Sequence, residues 1–253
     1  MKMHHRRWPA LWLLTAAAVC LTASGALALV GSSNEDRSFA EHVVMVLKRG
    51  VDRAGFCTGV VVAPSVVLTA AHCAAAANDM RIYYKSDSGQ PVLIEVQAVA
   101  THPKFRPDAP AKRLVSIDLA LVRTQTPLDA RFSPVALDEA GALAVGEGVR
   151  IVGYGVAREG EGTSAGVLRS GALQVRAPLS TILLWAEDPT GGGVGGCTGD
   201  SGGPIFSNDG TKVLAITTWS TGTAGRRCGA LTQGPLIAPQ RAWIASVLRK
   251  WGL

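Results

Sequence analysis

The strongest constraint on this chain is a succession of short apolar runs, four to nine residues long, cut apart by Gly, Pro, Asp or Ser. They include His42–Leu47, Gly59–Val62, Val66–Ala70, Val92–Ala100, Leu119–Arg123, Val149–Val152, Leu168–Val175 and Val213–Thr218. Val, Ile, Leu and Thr dominate them, and none is long enough for an ordinary helix. Such spacing predicts an all-β sandwich or barrel rather than alternating strands and helices. The 29 Gly and 13 Pro supply the many turns that such a fold needs. Only Pro239–Lys250 reads as a helix, with Ile244, Val247 and Leu248 on one face and Arg249-Lys250 in its last turn. A single turn is expected at Ala74–Ala77. The Pro-, Asp- and Gly-rich stretch Thr124–Gly148 reads as a link between two halves.

The N-terminus reads separately. Basic Lys2, Arg6 and Arg7 precede an apolar run from Trp8 to Ala23, and Ala26-Leu27-Ala28 offers a small-x-small cleavage site. This is the layout of a secretory signal peptide over 1–28, so a secreted protein, periplasmic or extracellular, is expected. An uncleaved segment would instead tether the chain to a membrane. The leader also accounts for half of the net charge: without it 22 basic residues face 19 acidic ones, and the total falls from +6 to +3. The remaining Lys and Arg are scattered, which argues against nucleic acid as a partner. Four cysteines follow the leader, Cys57, Cys73, Cys197 and Cys228. An even number in an exported chain reads as two disulfides, and the sequence leaves all three pairings open.

Three local patterns carry chemistry. Leu68-Thr69-Ala70-Ala71-His72-Cys73 is a strand ending in small residues that present one histidine. In Ser116-Ile117-Asp118-Leu119-Ala120-Leu121-Val122 a carboxylate is flanked by residues that must be buried, so Asp118 needs a partner such as an imidazole N–H. In Cys197-Thr198-Gly199-Asp200-Ser201-Gly202-Gly203-Pro204 the glycines allow a tight fold that leaves the Ser201 hydroxyl exposed. By average composition, Gly-Asp-Ser-Gly-Gly-Pro arises by chance about once in ten million windows or less.

These three segments resemble the signatures of the chymotrypsin/trypsin family of serine proteases, and their order His, Asp, Ser is that family's order. Phe56-Cys57, His102-Pro103, Gly153-Tyr154-Gly155, Thr218-Trp219-Ser220 and Trp243-Ile244 are similar to family features as well, so the resemblance runs from about Leu29 to the C-terminus. It implies two antiparallel six-stranded β-barrels, about 29–130 and 145–238, with a C-terminal α-helix at about 239–250 and the site in the cleft between the barrels.

The resemblance also implies an endopeptidase, with Ser201 as nucleophile, His72 as general base and acid, and Asp118 orienting the imidazole. Gly199 and Ser201 would offer the oxyanion-hole N–H groups, with no metal or cofactor required. It pairs Cys57 with Cys73 and Cys197 with Cys228. Trimming at Ala28 would free an α-amino group on Leu29 to meet Asp200, ordering the oxyanion loop. Counted from the motif, the primary pocket falls on Gly195, Gly196, Thr218, Trp219, Ser220 and Gly234. No Asp stands at Gly195, so cleavage is expected after large apolar or aromatic residues and not after Lys or Arg. Protein or peptide substrates and a monomer are implied. The main rival is a silent binding protein on the same fold; an esterase is disfavoured by the triad order.

Overall fold

The computed structural model describes residues 29–31, 33–50, 54–112 and 114–253. The expected leader, its cleavage site and Ser32 lie outside the described residues. Among the described residues, fifteen strands and two α-helices follow one another. The first seven strands are β1 Asn34–Glu35, β2 Val43–Arg49, β3 Ala54–Ala63, β4 Val66–Thr69, β5 Met80–Lys85, β6 Pro91–Thr101 and β7 Ala120–Thr124. Six of them close into an antiparallel barrel in the order β2-β3-β4-β7-β6-β5.

The second half holds β8 Ala136–Leu137, β9 Gly148–Gly153, β10 Arg169–Val175, β11 Leu183–Glu187, β12 Pro204–Ser207, β13 Lys212–Ile216, β14 Trp219–Thr221 and β15 Leu231–Pro235. Its sheet runs β14-β15-β11-β10-β9-β12-β13-β8, and β1 adds to β10. The six strands from β15 round to β13 make the second barrel, but a full ladder does not close it. Its two ends meet at one bridge, Ala215 to Leu236, flanked by Thr218 N–H to Gln233 O and Ile237 N–H to Leu214 O, both 2.9 Å.

The N-terminal segment departs from the expected division. Although the first half was drawn from Leu29, Asn34 and Glu35 pair with Ser170 and Arg169 of β10. Val30 likewise bridges Gly195, and Leu29 packs among Val149, Ile151, Leu173 and Val194. The segment therefore belongs to the second barrel. A four-residue helix α1, Ala109–Lys112, was not anticipated, because an Ala-Pro-Ala-Lys stretch carries no amphipathic period. The C-terminal helix α2 spans Arg241–Lys250. It starts later than expected because Pro239 sits in a 3₁₀ turn, Ala238–Gln240, that leads into it. Ile244 and Val247 of α2 join a core of Val43, Val60, Leu68 and Leu121 from the first barrel with Val152, Phe206 and Ile216 from the second. That shared core fixes the two barrels against each other and so fixes the cleft.

Candidate active site

The pairing of β4 with β7 brings the first two residues together. Thr69 lies opposite Ala120, and the strands are antiparallel, so the chain leaving β4 and the chain entering β7 emerge at the same edge. His72 stands three residues past Thr69, and Asp118 two before Ala120. The turn expected at Ala74–Ala77 is instead a 3₁₀ turn over Ala71–Cys73 that contains His72, with another at Ala77–Asp79. Disulfide-bonded Cys57 on β3 ties Cys73 down. Ile117 and Leu119 are buried on either side of Asp118, which fixes the carboxylate's direction.

Asp118 holds His72 twice. Its Oδ2 lies 2.7 Å from the ring Nδ1, and its Oδ1 accepts the His72 backbone N–H at 2.9 Å. Accepting from Nδ1 leaves the lone pair on Nε2, the tautomer a general base needs. The carboxylate is 19% exposed and the imidazole 39%, so the ring reaches the open cleft while its partner stays behind it. The Lys48 ammonium donates to the His72 carbonyl at 2.6 Å.

Ser201 sits on the second half but is bonded to the first: the Thr58 N–H of β3 donates to its carbonyl at 2.8 Å, and the Cys73 sulfur lies 3.7 Å from the same oxygen. Gly202 makes this approach possible. Its φ is +83°, and any β-carbon there would overlap the Thr69 hydroxyl and the Thr58 carbonyl. No hydrogen bond joins the Ser201 hydroxyl to the His72 ring. The N–H groups of Gly199 and Ser201 donate to no described residue, as donors aimed at a substrate oxygen would. Cys57, His72 and Cys73 also cluster in the manner of metal ligands, but both sulfurs are committed to the disulfide.

The sequence pattern of the family described as Trypsin matches residues 28–238, most of the chain. The chain belongs to the trypsin family. It is 28% identical over 207 residues to a trypsin of Saccharopolyspora erythraea, covering 75% of this chain and 86% of that one. It is 29% identical over 217 residues to glucanase inhibitor protein 4 of Phytophthora infestans, covering 75% and 82%. Among solved structures, neuropsin, a serine protease from mouse brain, superposes with a TM-score of 0.69 over 87% of this chain and 99% of that one, at 22% identity.

In this trypsin-family chain the Cys197–Cys228 disulfide frames the expected pocket. Trp219 and Ser220 lie on β14, and Trp219 is 46% exposed. Gly195 and Gly196 are buried, and the Gly196 N–H donates to the Thr232 hydroxyl at 2.9 Å. Thr232, and not the expected Gly234, faces the two glycines. A β-carbon at Gly195 would come 3.2 Å from the Thr232 Oγ1, whereas one at Gly234 would run into the Ile216 backbone. Counting forward from Cys228 assumes a loop length, and that loop is shorter than the count required. The Asp188 carboxylate is committed to its own loop, accepting from the Thr190 and Val194 N–H groups.

Asp200 is wholly buried. It accepts the Gly155 N–H at 2.8 Å and the Cys197 N–H at 2.9 Å. Burial pushes its carboxyl up to about 7, although those two N–H groups and the charge of Arg169 pull the other way. Leu29, its expected partner once trimmed, is itself fully buried.

Proposed function

We propose that this trypsin-family chain is an active serine endopeptidase, working outside the cytoplasm as a monomer on protein or peptide substrates. The observation that carries this reading is the doubly held His72–Asp118 pair, with the Ser201 backbone held 3.7 Å from the sulfur of Cys73, the residue next to His72. In that reading Ser201 attacks the peptide carbonyl and passes its proton to Nε2 of His72. The imidazolium then returns the proton to the leaving amine, while Asp118 stabilises the ring's charge. The free N–H groups of Gly199 and Ser201 receive the oxyanion, a contribution on the order of 10²–10³ in rate for each donor. Water completes the cycle by attacking the acyl-enzyme, with His72 again as base.

Specificity follows from what lines the pocket. Gly195, Gly196 and Thr232 bring no charge to its base, which favours an uncharged side chain before the scissile bond over Lys or Arg. With Thr232 where the sequence suggested a glycine, the slot is narrower, and medium-sized apolar residues fit it better than large aromatic ones. Removal of residues 1–28 would free the Leu29 α-amino group, and an ammonium brought beside Asp200 would lower that carboxyl's pKa.

Reaction of Leu29–Leu253 with a fluorophosphonate probe tests the proposal, with Ser201→Ala as control. Labelling that the control abolishes is expected. Absence of labelling in folded protein overturns catalysis and favours the second reading, a silent binding protein. The relatives named glucanase inhibitor proteins lend that reading its support.

A further inference from the structure

Arg169 is an unusual residue for the middle of a barrel wall, since an arginine is rarely buried without compensation and this one is 2% exposed. It lies directly opposite Glu35 of β1 on one side and Gly153 of β9 on the other. Residues directly opposite in antiparallel strands point to the same face, their β-carbons about 5 Å apart. Glu35, Arg169 and Gly153 thus form one row across three strands. Gly153 has no side chain, and Asp200 occupies the vacated space: a β-carbon at Gly153 would overlap Oδ1 of Asp200 and come 3.1 Å from its Cγ. The row therefore reads Glu35, Arg169, Asp200, with charges alternating in sign.

We propose that Arg169 is a positioning residue for catalysis, a built-in counter-charge that favours the ionised form of the Asp200 carboxylate and so helps hold the Cys197–Ser201 loop in its oxyanion-binding shape. This rests on the endopeptidase reading. The Leu29 α-amino group can serve Asp200 only after trimming, whereas the guanidinium is present in the chain from synthesis. The charged groups facing the pair are Glu35 on β1, which supports the arginine's charge, and Arg158 in the loop after β9, which opposes it. The hydrogen-bond donors to Asp200 are the backbone N–H groups of Gly155 and Cys197, and the arginine acts on it through charge alone.

The test compares wild type, Arg169→Met and Arg169→Lys, each both beginning at Leu29 and retaining the preceding residues. Loss of the charge raises the carboxyl's pKa further, so Arg169→Met is expected to lower kcat at neutral pH by about tenfold or more, within the range of a lost oxyanion donor. KM should change little, activity should recover as pH rises, and the loss should be greater in the untrimmed chain. Arg169→Lys should restore the profile. Infrared spectra blanked with Asp200→Asn read the protonated carboxyl directly, so the charge assignment can be judged even if wild type proves inactive. Arg169→Met and Arg169→Lys variants, folded by circular dichroism, with carboxyl titrations matching wild type overturn the assignment. Loss of kcat in Arg169→Met with an unshifted pH profile overturns it equally, because a merely structural arginine gives that result.

Discussion

Replacing Gly234 separates a pocket residue from a structural one. Gly234 lies on β15 where the second barrel closes, and a β-carbon there would stand 2.5 Å from the Ile216 carbonyl carbon. Carbon atoms prefer roughly 3.5–4.0 Å, so Gly234→Ala forces the two strands apart by about 1 Å or more. Two backbone bonds span the same seam, Thr218 N–H to Gln233 O and Ile237 N–H to Leu214 O, each 2.9 Å. Stretching both leaves two donors unsatisfied at about 1–3 kcal/mol each. A destabilisation of about 3 kcal/mol or more is expected, read as a fall in Tm of roughly 6–12 °C for a domain this size. The companion variant Thr232→Ser keeps the hydroxyl that accepts from Gly196 and deletes one methyl group. It should cost only about 1 kcal/mol and shift peptide-library preference toward larger residues before the scissile bond. A Gly234→Ala protein within 1 kcal/mol of wild type but with an altered cleavage profile would refute the reasoning and return Gly234 to the pocket wall.

Asp118→Asn should lower kcat by about 10⁴-fold, the loss known for this kind of triad, with KM little changed. One acceptor oxygen must become a donor beside His72, and steady-state kinetics within tenfold of wild type would contradict the orienting role. A second expectation concerns pH. With its carboxyl raised from an ordinary 3.8 to about 7, Asp200 binds its proton more tightly in the folded than in the unfolded chain. Its contribution is most favourable below pH 4 and declines up to pH 7, by roughly 4 kcal/mol at 1.4 kcal/mol per unit. Urea unfolding of the chain that retains the residues before Leu29, set against Asp200→Asn, isolates this slope; parallel curves for the two proteins would count against it.

The strand pattern and the three segments that resemble the trypsin-family signatures were legible because each is local. Val66–Ala70 and Leu119–Arg123 announce β4 and β7 by composition, and the small residues before His72 announce a tight turn. Features that depend on alignment between distant segments were not legible. Nothing in Leu29–Glu35 says that it pairs with β10, and nothing in Val167-Leu168-Arg169 marks the arginine as buried. Both follow from β1 adding to the second sheet, a tertiary event without a local signal. Thr232 was missed for a related reason, because a loop's length in residues does not fix where its far end lands.

The crossed ends of the chain carry one more consequence. The N-terminal strand of the first half is sewn into the second barrel, while α2, at the end of the second half, packs on residues of the first. The Trp243 ring of α2 meets the His102 ring just past β6 at 4.7 Å. Each half thus wears the other's terminus as a clasp. A cut in the connecting stretch between β7 and β9 would leave two fragments still buckled together, and neither barrel could be lifted out by truncation without stripping its neighbour.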